Sequence, residues 1–224
     1  MTDIQYQGRQ ARREGSEQRR RGILEAALRI IVREGIRNVR HRAVAKEADV
    51  PLSATTYYFK DISDLIADTF TLFAEQAMEE VIEPFRQQAF GLLEQFDGNR
   101  LQDASERTKL MESLADMTTF FLYQESRDKR EHLIAEQAFM QEAVLDDRLR
   151  DLALVYTNKL VEVLQSACEK LGTAEPAQDA QLMWASIMNL EHRLLLDPQF
   201  SIQDLRALVR RMLELFMTRR HDGE

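Results

Sequence analysis

Apolar side chains return at helical intervals along almost the whole chain. Ile23, Leu24, Ala27, Leu28 and Ile31 mark one face of a helix expected over about 17–34, with Gly35 as its C-terminal stop. Two short helices are expected next, at about 42–48 and 52–58. Asp49-Val50 forms the break, and Pro51 suits the first turn of the second. A fourth helix, capped by Ser63, carries Leu65, Ile66, Phe70, Phe73, Ala77 and Val81 in phase and runs past residue 80 toward Pro84. A short helix over 84–95 precedes the clearest loop, Asp97-Gly98-Asn99. Further helices are expected over about 103–125, ended by Glu125-Ser126-Arg127-Asp128, then over 129–143, 147–171, 179–196 and, capped by Ser201, 202–219. No stretch alternates as a strand would. The pattern predicts an all-α chain of about nine helices: a small helix-turn-helix domain followed by a larger helical body.

The helix over 52–58 departs from the others. It is only about two turns long and crowded with Ser53, Thr55, Thr56, Tyr57 and Tyr58. A helix this short and polar is a poor core element, but it fits a DNA major groove, where hydroxyls reach phosphates and base edges. Charge supports this. Residues 1–60 hold 13 Lys and Arg against 7 Asp and Glu, a net +6; residues 61–224 hold 17 against 31, a net −14. A basic head on an acidic body directs phosphate to one face.

These residues resemble a known family. Arg21-Gly22-Ile23-Leu24-Glu25-Ala26-Ala27, Gly35, the run Val50-Pro51-Leu52-Ser53-Ala54-Thr55-Thr56-Tyr57-Tyr58-Phe59 and Asp64-Leu65-Ile66 follow one another as in the DNA-binding domain of the TetR-family transcriptional regulators. The resemblance covers about residues 19–68. Family members often carry Gly at the Asp49 and Ser53 positions and Lys at the Ile62 position. Residues 1–17 are polar and without periodicity, and a disordered basic arm is expected there; the resemblance implies a DNA-binding domain over 18–64 and a ligand-binding and dimerisation domain over 65–224. Arg40, His41, Leu52, Ser53, Ala54, Thr55, Thr56, Tyr57, Tyr58 and Lys60 become the expected DNA contacts.

Other chemistry is sparse. No HExxH, GxGxxG or phosphate loop occurs, and the four His are scattered, so neither an enzyme nor a metal site nor a cofactor is expected. The single Cys168 fits a reducing cytoplasm, and no apolar run has membrane length, so a cytoplasmic protein is expected.

Two sets of residues in the body bear on function. Met183, Ile187, Leu190 and Leu194 form one stripe; Leu205, Leu208, Met212 and Leu215 form another. Such stripes usually fill a core, but the resemblance implies that the last two helices pack against a second copy. Met117, Phe120, Phe121, Tyr123, Phe139, Met140, Tyr156, Trp184, Met188 and His192 are candidates to line an effector pocket, because Met and aromatics line adaptable cavities. Glu112, Asp116, Glu136, Glu142 and Glu191 lie among them, and one buried carboxylate would select a cation. The resulting expectation is a homodimeric regulator on a palindromic duplex operator, released as a repressor by a small molecule, with no membrane role. The alternative is a DNA-binding factor whose body docks a protein partner.

Overall fold

The computed structural model describes Tyr6, residues 14–96 and residues 103–217. The expected arm over 1–17, the loop at Asp97-Gly98-Asn99 and the last residues of the final helix fall largely or wholly outside these. Ten α-helices are described: α1 (Glu14–Glu34), α2 (His41–Glu47), α3 (Leu52–Tyr58), α4 (Ile62–Ala77), α5 (Glu83–Glu94), α6 (Ala104–Asp128), α7 (Arg130–Ala143), α8 (Asp147–Leu171), α9 (Pro176–Leu196) and α10 (Ile202–Met217). Among the described residues there is no strand, and no helix is long and apolar enough to cross a membrane.

Several boundaries differ from the sequence reading for local reasons. The cap of α4 is Asp61, whose carboxylate accepts from the Asp64 amide at 2.7 Å, and not Ser63. Helix α4 stops at Ala77, and one π-helical turn, Met78–Ile82, leads into α5. Glu125-Ser126 does not end α6. Glu125 and Ser126 are buried, the Ser126 hydroxyl donates back to the Tyr123 carbonyl at 2.7 Å, and the helix runs on to Asp128. Helix α9 starts three residues early because Pro176 fits its first turn. Ser201 does cap α10: its hydroxyl accepts from the Asp204 amide at 3.1 Å and donates to that carboxylate at 2.7 Å.

The chain forms two compact units. One comprises Met1–Met78 with Ile134–Thr157; the other comprises Glu79–Leu133 with Asn158–Glu224. The expected boundary after residue 64 falls inside the first unit.

In the first unit α4 is buried on nearly every side: Leu65, Ala67–Ala74 and Ala77 are all enclosed. One face meets the inner stripe of α1. Another carries Phe70 and Phe73, which pack on Phe139 of α7 and Tyr156 of α8 with centroids 4.6–6.1 Å apart. A buried ion pair binds α1 to α4: Arg20 donates to Asp68 at 2.5 Å, with both side chains almost fully enclosed. The Arg20 guanidinium also lies over the rings of Tyr6 and Phe59, 4.4 and 5.6 Å from their centroids.

In the second unit α10 lies along α6. Leu205, Val209, Met212 and Leu213 join Leu110, Leu114, Leu122, Val161, Cys168 and Met183 in one core. Arginines seal its edge. Arg206 reaches Glu112 at 2.7 Å and Asp116 at 2.6 Å, and Arg210 reaches Glu112 at 2.7 Å. Hydrogen bonds from Arg210 and Arg206 hold the Glu112 carboxyl below its ordinary range.

Candidate functional site

The turn between α2 and α3 is set by its backbone. Asp49 has φ 52°, the Val50 amide bonds the Ala45 carbonyl at 3.0 Å, and the Asp49 amide bonds that of Lys46 at 3.3 Å. This is a Schellman ending with Asp at the left-handed position that favours Gly. It reverses the chain into Pro51 and aims α3.

Helix α3 has two unlike faces. Leu52, Ser53, Thr56, Tyr57 and, just beyond it, Lys60 are exposed, Tyr57 by 54 %; Ala54 is half-buried. Thr55 and Tyr58, expected at DNA, are instead turned inward. Thr55 is 0 % exposed and donates to the Leu52 carbonyl at 2.8 Å. The Tyr58 hydroxyl shares a 2.8 Å hydrogen bond with Ser16 of α1, and Phe59 is wholly enclosed. The reason is helical phase: 55, 58 and 59 lie together and fix α3 to the head, leaving 52, 53, 56, 57 and 60 outside. Arg40 sits exposed at the start of α2, and His41 is half-buried.

The cations of the head divide into two groups. Arg29 and Arg33 pair with Glu47 at 2.8 and 3.1 Å, Arg21 pairs with Glu25, and Arg20 with Asp68. Arg40, Arg42, Lys46 and Lys60, on and beside α2 and just after α3 in the chain, are all exposed and form no ion pair among the described residues. An exposed polar helix preceded and followed in the chain by uncommitted cations is suited to a phosphate backbone. Sequence reasoning counted Arg20 among the cations of a basic head that meets phosphate, whereas the structure buries it against Asp68. Its only signal was its phase with the inner stripe of α1, three residues before Ile23.

The residues expected to line an effector pocket fall in both units. Phe139, Met140 and Tyr156 belong to the first unit; Met117, Phe120, Phe121, Tyr123, Trp184, Met188 and His192 belong to the second. Phe139 and Tyr156 are core rings, Phe121 stacks on Phe85 at 4.3 Å, and Arg127 lies over Tyr123. Phe120, 60 % exposed, and His192 face solvent. Among the carboxylates, Glu112 and Asp116 serve the arginine seal, Glu142 is half-buried, and Glu136 and Glu191 are buried in different units. Burial pushes the Glu136 carboxyl up to about 7, partly offset by a 2.9 Å hydrogen bond from the Tyr156 hydroxyl.

The stripes of the last two helices also divide. Met183, Leu190, Leu205 and Met212 are buried within the chain itself, and Ile187 and Leu194 are half-buried. Leu182, Leu208 and Leu215 are exposed and border a groove of about 670 Å³ between α9 and α10, with Ala185, Leu190, Met212 and Phe216 also in its walls.

Residues 23–69 match the family model of the bacterial regulatory proteins of the tetR family. No curated protein matches the chain. Solved structures share its fold. A regulator assigned to the TetR family from Mesorhizobium loti is 16 % identical, with a TM-score of 0.68 over 93 % of this chain and 98 % of its own. A protein of Saccharomonospora viridis described as a transcriptional regulator, solved with choline, is 20 % identical, with a TM-score of 0.64 over 88 % and 96 %. The multidrug binding protein EbrR, solved with imidazole, is 22 % identical, with a TM-score of 0.61 over 87 % and 94 %. Residues 23–69 thus resemble the DNA-binding module of the tetR-family regulators, and the whole chain shares its all-helical fold with these solved structures.

Proposed function

We propose that the protein is a homodimeric repressor in the cytoplasm that leaves a palindromic operator when a small molecule binds its body, residues 65–224. The observation that carries this is the outer face of α3. Leu52, Ser53, Thr56 and Tyr57 stand exposed, and the exposed Arg40, Arg42, Lys46 and Lys60 that precede and follow them in the chain have no ion-pair partner among the described residues. Each head, residues 18–64, would lay that face in a major groove, with Ala54 close to the base edges and Arg40, His41 and Lys60 on phosphates.

The exposed Leu182, Leu208 and Leu215 along α9 and α10 favour burial against a second copy, and one head alone spans too short a site for a specific operator. Relatives of the same fold solved with choline or imidazole support an effector in the body. An effector acts by preferring the arrangement of the two heads that does not fit the operator. Partner docking remains a second reading because Val144, Leu145 and Leu154 are also exposed.

Anisotropy titrations on operator DNA recovered from the source genome test the reading. Tyr57→Ala is expected to weaken binding tenfold or more while leaving the melting temperature unchanged. Unchanged affinity would remove α3 from the DNA.

A further inference from the structure

Arg148 stands in the first turn of α8, where a cation is out of place. The Asp146 carboxylate caps this helix, accepting from the Arg148 and Leu149 amides at 2.9 and 3.4 Å. The positive end of the helix dipole lies there, and it favours an acid over an arginine. The guanidinium reaches back to the start of α4. Its Nη1 donates to Asp64 Oδ1 at 3.2 Å and lies 4.0 Å from Asp61 Oδ1. All three residues belong to one compact unit, in which Ile134–Thr157 joins Met1–Met78.

Stability does not account for this pair. Asp61 and Asp64 serve α4 without it: Asp61 is its cap, accepting from the Asp64 amide at 2.7 Å, and Asp64 is the acid of its first turn. The Arg148 side chain is 59 % exposed, and an exposed ion pair contributes little to folding. Arg150, two residues on, shows what a structural arginine does here. It donates to the Val144 carbonyl at 3.2 Å and to Asp147 at 2.5 Å, closing the corner between α7 and α8. Arg148 commits one nitrogen only. Among the described residues its Nε and Nη2 have no hydrogen-bond partner. Arg29 and Arg33 differ, since both engage Nε and Nη2 with Glu34 or Glu47.

Nε and Nη2 form one edge of the planar fork, and that edge matches two phosphate oxygens. Asp61 directly follows Lys60, the exposed cation proposed to meet phosphate. Two carboxylates beside a phosphate repel it, and a cation held between them removes that repulsion. We propose that Arg148 is a phosphate-contacting residue of the DNA-binding surface, carried there by α8. Nη1 stays with Asp64 and Asp61, while the Nε–Nη2 edge meets a backbone phosphate beside the one that Lys60 meets. The contact adds affinity without sequence preference. The inference rests on the reading that Lys60 and the outer face of α3 meet DNA, and it extends that surface into the helical body.

Anisotropy titrations of the full-length protein on operator and random duplexes, between about 50 and 200 mM salt, test it. One lost phosphate contact flattens the slope of log affinity against log salt by about 0.9. Over that fourfold range wild type is therefore expected to lose about 3.5-fold more affinity than Arg148→Gln, on both duplexes. Arg148→Lys, which keeps the charge, is expected to retain the wild-type slope. The same flattening by Arg148→Gln is expected in an Asp61→Asn, Asp64→Asn background, where Asn preserves the α4 cap. An unchanged slope for Arg148→Gln overturns the inference. A flattening that vanishes in the Asn background overturns it too, because Arg148 would then only screen the two aspartates. Lys60→Ala separates the two readings. If it flattens the slope and Arg148→Gln does not, α3 stays on DNA and this inference alone falls. If neither variant changes the slope and Tyr57→Ala binds as wild type does, the DNA face lies elsewhere and both fall.

Discussion

Replacing Glu136 by Gln should make the protein more stable above neutrality and should alter the shape of its pH–stability curve. Burial raises this carboxyl from 4.5 to about 7, and the Tyr156 hydrogen bond only partly opposes the shift. In the unfolded chain the group ionises at its ordinary value. Between 4.5 and about 7 the folded protein therefore holds a proton that the unfolded chain has already lost. Stability contributed by this site is at its greatest below 4.5, falls as pH rises through that window, and levels off above about 7. At 1.36 kcal/mol for each pH unit of the window, the penalty in place at pH 8 is about 3 kcal/mol. Gln has nearly the same shape, can still pair with the Tyr156 hydroxyl and carries no charge. Urea denaturation followed by circular dichroism at pH 5, 6, 7 and 8, at one fixed protein concentration, gives the difference between wild type and Glu136→Gln. Titrating groups that do not interact with Glu136 cancel in that difference. It is expected to open from a small value at pH 5 to about 3 kcal/mol in favour of the variant at pH 8. Two parallel curves would mean that Glu136 is ionised across the whole range, beside a charge or water that the geometry above does not contain.

Asp68→Ala strands the buried Arg20 and is expected to destabilise the protein by about 3–5 kcal/mol, while the double change Arg20→Met with Asp68→Leu recovers most of that loss; thermal melts decide. Asp49→Gly relieves a φ of 52° and should raise stability by roughly 0.5–1 kcal/mol with DNA affinity unchanged, and a loss of stability would refute the strain argument. Leu208→Glu, at a position 42 % exposed in the single chain, is expected to give a folded monomer by light scattering, and a stable dimer would place the interface elsewhere. Leu190 is a poorer probe of the same point because it is buried in the chain's own core.

Helical phase made most elements legible. The stripe of α1, the start of α3 at Leu52, the Ser201 cap and the stop after Leu171 all follow from local chemistry. Phase also carried information that went unused. Thr55, Tyr58 and Phe59 share a face with each other and not with Tyr57, so the hydroxyl-rich helix is only half an interface. Composition was least informative in the body. Met and aromatic residues look alike whether they fill a core, like Phe139 and Tyr156, or stand in solvent, like Phe120. Ten such residues gave no sign that three belong to one packing unit and seven to the other. That division depends on α7 and α8 contributing to both units, which no window of local sequence encodes.

Net charge left open which cations are available to DNA. The head carries +6 over residues 1–60, but its cations are not equivalent. Arg29 and Arg33 share the Glu47 carboxylate, whose pKa their hydrogen bonds hold down, and Arg20 is sealed against Asp68. Contact with a phosphate would require those pairs to break, whereas Lys60 and its unpaired neighbours need only release counterions from the DNA. The salt dependence of operator binding should therefore separate the two groups. Lys60→Ala is expected to reduce the slope of log affinity against log salt by about one, with the loss spread evenly over operator and random sequence. Arg29→Ala is expected to leave the slope unchanged, though it removes the same formal charge. Equal slopes for both variants would mean that DNA responds to the overall field of the head. A larger effect from Arg29 than from Lys60 would place the phosphate track along α1 and the end of α2, away from the outer face of α3.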